Sequence, residues 1–141
     1  MAARLLVKDA KQREVGIHLV SVYMHHELGW AEFEDTLDRC VAKKRPGDIV
    51  MIGMDANASI GVDRDGLQKE RRVCGDFGNK RVTEAGERMY SYLASRDLAS
   101  AATFFKRKPG GHGTWRHPGT DKLYQIDHLV CEQKDLKRVT N

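Results

Sequence analysis

The order of hydrophobic patterns predicts a single domain of mixed α/β architecture, of the α+β kind. Three observations carry this expectation. Residues 14–24, EVGIHLVSVYM, alternate Val15, Ile17 and Leu19 against Gly16, His18 and Val20 and then turn apolar on both faces, as a strand entering a covered sheet does. From Trp30 the spacing changes to Trp30, Phe33, Leu37 and Val41, one apolar stripe of an amphipathic helix. DIVMIGM then reads as a buried strand that ends at Asp55. Strand, helix and strand in that order belong to mixed α/β folds.

The remaining elements follow from local chemistry. RLLVK and the turn-like KDAKQR make a hairpin partner for the strand over 14–24. The helix from Trp30 carries Glu32, Glu34, Asp35 and Asp38 in its first turns, where the helix dipole favours acid. Lys43, Lys44 and Arg45 lie at its end, and Pro46-Gly47 stops it. Residues 56–82 mix glycine with both signs of charge and hold no period, so they read as a long loop. Thr83 is placed as the N-cap of a second helix with Met89, Tyr90 and Leu93 on one side. Strands are expected over 98–105, 113–117 and 123–131, with KPGGHG and HPGTDK as the turns.

A chain of 141 residues, 40% hydrophobic, can bury one ordinary core. No apolar run approaches the roughly 20 residues that cross a bilayer, and the start MAARLLVKDAKQ lacks the apolar stretch of a secretory signal. Cys40, Cys74 and Cys131 are odd in number and form no CxxC pair. Neither a disulfide framework nor a zinc site is expected, and free thiols suit an intracellular place. The formal charge of +4 is unevenly spread, the first half (1–70) carrying a balance of −2 and the second of +6. The basic half, with RKP at 107–109 and an aromatic in TWRHP, is compatible with a phosphate-rich polymer, although on charge alone a solvated face is the preferred reading.

Three groups of residues could carry chemistry. In GMDAN, Asp55 and Asn57 are two apart at a strand end and project together. A carboxylate beside a carboxamide can hold a nucleophilic water and a phosphate oxygen at once, although Asp and Asn after a strand also make a simple turn. In QIDHLV, Asp127 interrupts an apolar strand and is costly to bury unless a partner holds it, while His128 falls on the opposite face and reads as packing. In GTWRHP, Trp115 suits either core or substrate, and Arg116 is the group whose guanidinium matches a phosphate. Neither the adjacent His25 and His26 nor the pair His112 and His117 has the spacing of a metal site.

GMDANASIG and TWRHPGTDKLYQIDHLV together resemble the C-terminal part of an endonuclease/exonuclease/phosphatase domain, the fold of deoxyribonuclease I and the abasic-site endonucleases. Within it the chain is similar to the endonuclease of non-LTR retrotransposons and to craniofacial-development-protein-2-like sequences, from about Gly16 to about Lys134. The resemblance implies a DNase I-like, four-layer αββα two-sheet sandwich, here partial and truncated at both ends. It implies Asp55 as the residue that orients or deprotonates the attacking water, Asn57 as a phosphate contact, and Asp127 as the aspartate that orients a catalytic histidine. Tyr23 in SVYMHH, with Thr114, Trp115 and Arg116, would meet the substrate. Met54 replaces the glycine usual before the aspartate, Met24-His25 replaces an Ala-Pro, and Ala102 stands where relatives have asparagine. Asn79 and Gly86 in GNKRVTEAG echo a family pattern of loop and helix entry.

The implied activity is Mg²⁺-dependent (or Mn²⁺-dependent) phosphodiester hydrolysis, as a nicking endonuclease whose partner is the DNA phosphate backbone, without a membrane role and with the nucleus as its setting. No residue matches the family's principal metal-binding glutamate or its terminal Ser-Asp-His, so the fragment is expected to be inactive alone. Two further readings stay open. One is an inactive nucleic-acid-binding or interaction remnant, and the other a phosphoesterase acting on a small or lipid phosphate.

Overall fold

The structure, a computed structural model, describes residues 1–25, 27, 29–62, 73–108 and 111–140. Part of the long loop expected over 56–82, His26, and the Pro109-Gly110 step of the KPGGHG turn lie outside the described residues. The protein is of mixed α+β architecture, with one five-stranded mixed sheet, a small two-stranded sheet and two helices.

The first hairpin joins β1 (Ala2–Lys8) to β2 (Glu14–Tyr23) in antiparallel register. Its turn is held by Asp9, whose Oδ1 accepts from the backbone N–H of Lys11 and Arg13 at 2.8 and 2.9 Å. Helix α1 (Trp30–Val41) then carries the chain over to β3 (Ile49–Asp55), which lies parallel to β2. Helix α2 (Glu84–Ser95) opens on Thr83, whose side chain accepts from the N–H of Gly86, so the expected cap is in place. Strands β4 (Leu98–Ser100) and β7 (Asp127–Glu132) complete the sheet in the order β1-β2-β3-β7-β4, and β5 (Trp115–Arg116) pairs with β6 (Leu123–Tyr124) beside it.

Both helices cover one face of the sheet. Phe33 and Leu37 of α1 and Met89 and Leu93 of α2 join Ile52 and Val130 in a single core. The opposite face is also apolar but only half-buried: Ile17, Leu19, Ile49 and Met51 are partly covered, while Leu5 and Leu129 are 49% and 40% exposed. All seven residues of β1 are exposed, and among the described strands β1 has a partner on one side only, a long open edge of the kind that invites pairing with another chain. Gly16 has a structural task in β2. Arg4 holds buried Asp48 in two hydrogen bonds of 2.7 and 2.9 Å, and a Cβ at residue 16 would stand 1.8 Å from the Asp48 carboxylate.

Two expected strands differ from the structure. That over 98–105 stops at Ser100, where Thr103 Oγ1 donates to the Ser100 carbonyl at 2.6 Å and accepts from Gly75 N–H at 2.8 Å, turning Ala101–Phe104 into a 3-10 helix. That over 123–131 is split into β6 and β7. At the break, Ile126 gives its carbonyl to Ala56 N–H and its own N–H to Thr114 Oγ1, so it leaves the ladder. Nor is all of 56–82 a surface loop: Ala56, Ala58, Ser59, Ile60 and Val62 are buried, and Ile60 bridges to Val82. Alanine and serine there are small enough to pack closely, which composition alone does not reveal.

Candidate active site

Three strands end together at one rim. Tyr23 of β2 is in register with Asp55 of β3, and Asp55 with Asp127 of β7, so the three form one row across the sheet on its half-exposed face. Directly opposed antiparallel residues have Cα atoms about 4.5–5.5 Å apart, which sets the scale for the two aspartates. Like charges directly opposite one another destabilise a sheet. A fold selected only for stability has no reason to place two carboxylates there. The row borders an open depression that Ser21, Gly53 and Leu129 continue.

Backbone hydrogen bonds fix the rim. Met24 N–H donates to the Asp55 carbonyl at 2.7 Å, and the Asn57 side-chain amide donates to the Met24 carbonyl at 2.9 Å. Asn57 itself has φ 47°, a conformation tolerated better by Asn than by most residues, and its N–H donates to Asp55 Oδ1 at 3.2 Å. Asp55 and Asn57 therefore share the rim. The bond to Met24 uses one N–H of the Asn57 amide, and the second N–H of the same nitrogen is the group that can be given to an anionic oxygen.

Thr114 joins the small sheet to the rim. Its Oγ1 accepts from both Ile126 N–H and Asp127 N–H at 3.1 Å. A hydroxyl that spends its lone pairs on two backbone donors keeps its proton to give away. Trp115 follows, 41% exposed, with its ring 5.3 Å from that of His117 and 5.6 Å from that of Tyr124. Tyr23 is 55% exposed, its ring edge-on to His25. Arg116 is engaged within its own hairpin, donating to Asp121 Oδ1 at 2.9 Å and to the Asp121 carbonyl at 3.1 Å.

His128 is buried on the helix-covered face, away from the two aspartates. Its Nε2–H donates to the Ala58 carbonyl at 2.9 Å and its Nδ1 lies 3.1 Å from the Ser100 hydroxyl. Burial pushes its pKa below the ordinary histidine range, in keeping with a packing role. Asn79 is structural as well, its amide donating to the Leu123 carbonyl at 2.7 Å and its Oδ1 accepting from Arg81 N–H. Sequence reasoning misses Arg81 and Tyr124, whose side chains meet beside this hairpin. No motif marks either of them.

Among the described residues no group of three or more His, Cys, Asp or Glu is gathered so as to hold a metal ion, and no helix is long and apolar enough to cross a membrane. No family model matches the chain. Over 87 residues it is 30% identical to craniofacial development protein 2 of Tragulus javanicus. The match takes in 62% of this chain and 14% of that protein, so the chain spans about a seventh of the relative's length.

Proposed function

We propose that this chain carries the water-and-phosphate half of a phosphodiesterase site of the endonuclease/exonuclease/phosphatase type, with DNA as the substrate and the nucleus as the setting. The row Tyr23–Asp55–Asp127 at one sheet rim, with Asn57 and Thr114 bonded to its backbone, is the observation that carries this reading. It brings together residues from two stretches far apart in the sequence. The similarity to craniofacial development protein 2 lends support. So does the half-exposed apolar face of the large sheet, which is where the second sheet of a DNase I-like αββα sandwich would pack.

The roles follow from the donors and acceptors in place. Asp55, acceptor-only when ionised, would take a hydrogen bond from an attacking water and draw its proton. Asn57 and the Thr114 hydroxyl would contact phosphate oxygen, the latter with the proton its backbone bonds leave unused. Tyr23 and Trp115, both well exposed, would flank the strand. Asp127 would orient a catalytic histidine, a group His128 does not supply because its ring is bonded on the other face. Mg²⁺ or Mn²⁺ belongs to this reading by resemblance. The described residues gather no metal-holding set.

A plasmid-relaxation assay and a DNA-binding titration with the purified chain test the proposal. Weak binding that falls steeply with salt is expected, because phosphate contacts release counterions, together with no detectable Mg²⁺-dependent nicking. Robust nicking abolished by Asp55→Ala would show that a local group completes the site. Absence of binding even at low salt would favour a small phosphate substrate or a protein partner.

A further inference from the structure

Besides Arg116, the cation the sequence suggests, the structure offers a second candidate for the substrate backbone. Arg116 has its guanidinium against Asp121, a carboxylate that offsets its charge and repels phosphate. Arg81 is differently placed. Its guanidinium lies over the ring of Tyr124, 4.6 Å from the centroid, and also donates to the Tyr124 hydroxyl, while no carboxylate pairs with it among the described residues. The ring is itself packed against Trp115. A guanidinium on an aromatic face keeps its full charge and loses side-chain freedom, which lowers the entropy cost of meeting an anion.

Two chain paths bring Arg81 to the rim. Tyr124 is three residues before Asp127, a separation of no more than about 11 Å for an extended chain. On the other side the Ser59 hydroxyl donates to the Arg81 carbonyl at 3.0 Å, and Ser59 is two residues beyond Asn57. At a rise of about 3.4 Å per nucleotide, such a span corresponds to roughly three nucleotides.

We infer that Arg81, braced by Tyr124, is a backbone-binding residue of this site, holding a phosphate that flanks the one presented to Asp55. Tyr124 is the positioning residue that aims it. The inference rests on the proposed DNA reading and names one contact within it.

The test is a salt titration of DNA binding with the full chain and a single-stranded oligonucleotide as the probe, on Arg81→Gln, Arg116→Gln and Tyr124→Leu. Losing one phosphate contact flattens the plot of log affinity against log salt by about 0.7 for a single strand. Arg81→Gln is expected to do this and to weaken binding about tenfold at low salt, whereas Arg116→Gln leaves the slope within error. Tyr124→Leu is expected to weaken binding and to flatten the slope by no more than Arg81→Gln does, since the charge is retained and only its aim is lost. Urea midpoints of all three separate a binding loss from unfolding. A wild-type slope kept by folded Arg81→Gln would overturn the role of Arg81 alone and leave the DNA reading standing. A wild-type chain that binds no DNA at any salt would overturn both.

Discussion

Replacing Gly86 with alanine sets helix propensity against packing, and the structure decides between them. Gly86 sits in the first turn of α2, buried, where a Cβ would lie 1.9 Å from the Ser59 carbonyl oxygen and 2.5 Å from its carbon. That oxygen already accepts from Thr83 N–H at 3.0 Å, and the Thr83 side chain accepts in turn from Ser59 N–H at 3.1 Å. Alanine in place of glycine gains about 1 kcal/mol of helix propensity. The clash is with backbone, so α2 or the Ser59 segment must move by more than a side chain's give. Overpacking costs about 1–3 kcal/mol, and one disturbed hydrogen bond about 1 kcal/mol more. The net expectation is a destabilisation of about 2 kcal/mol. With a urea m-value of about 2 kcal/mol/M, the unfolding midpoint falls by about 1 M at unchanged slope. Gly53→Ala is the matched control, because a Cβ added there would meet no atom within 4 Å, and it should be neutral or stabilising by up to about 1 kcal/mol. A midpoint for Gly86→Ala equal to or above wild type would refute the close-approach argument.

Two other outcomes are expected. Asp127→Asn removes one of two facing carboxylates and should raise the unfolding free energy slightly, by about 0.2–1 kcal/mol, and the urea midpoint with it, while tightening DNA binding; a lower midpoint would mean the aspartates do not repel one another across the strands. Asp38 accepts from Arg96 and from the Tyr92 hydroxyl, and the Arg96 hydrogen bond, the largest cause, lowers its pKa below the usual 3.8. Its stabilising contribution is therefore complete above the unfolded value and is lost as pH falls through the lower folded value, so Asp38→Asn should flatten the acid limb of a stability-versus-pH curve, and an unchanged limb would deny the linkage.

Periodicity makes the large sheet's first three strands and both helices legible, because each buries one face: Phe33 and Leu37 do so in α1, and Met89 and Leu93 in α2. What it misses are elements ended by side-chain hydrogen bonds. Thr103 and Thr114 terminate strands through their hydroxyls, and a threonine in an apolar run otherwise reads as a good strand residue. At the site, Asp55 and Asp127 stand out since each is a charge at the end of an apolar strand. Arg81 does not, because its role depends on a ring more than forty residues away in sequence. Arg116 attracts attention for its residue type, whereas the Asp121 beside it becomes visible only when the hairpin closes.

The place of β7 between β3 and β4 has a kinetic consequence. β1, α1 and β3 all close on β2 through short connections, but β7 reaches β3 only by closing a loop on the order of 70 residues, at an entropic cost about 2 kcal/mol greater than that of a tight hairpin. Pairing of that range forms late in folding. The two aspartates are therefore expected to come face to face late, after the local hairpin and helices have formed. Quenching between probes attached near residues 55 and 127 would time the final step of folding, and the same step would time the appearance of any phosphate binding.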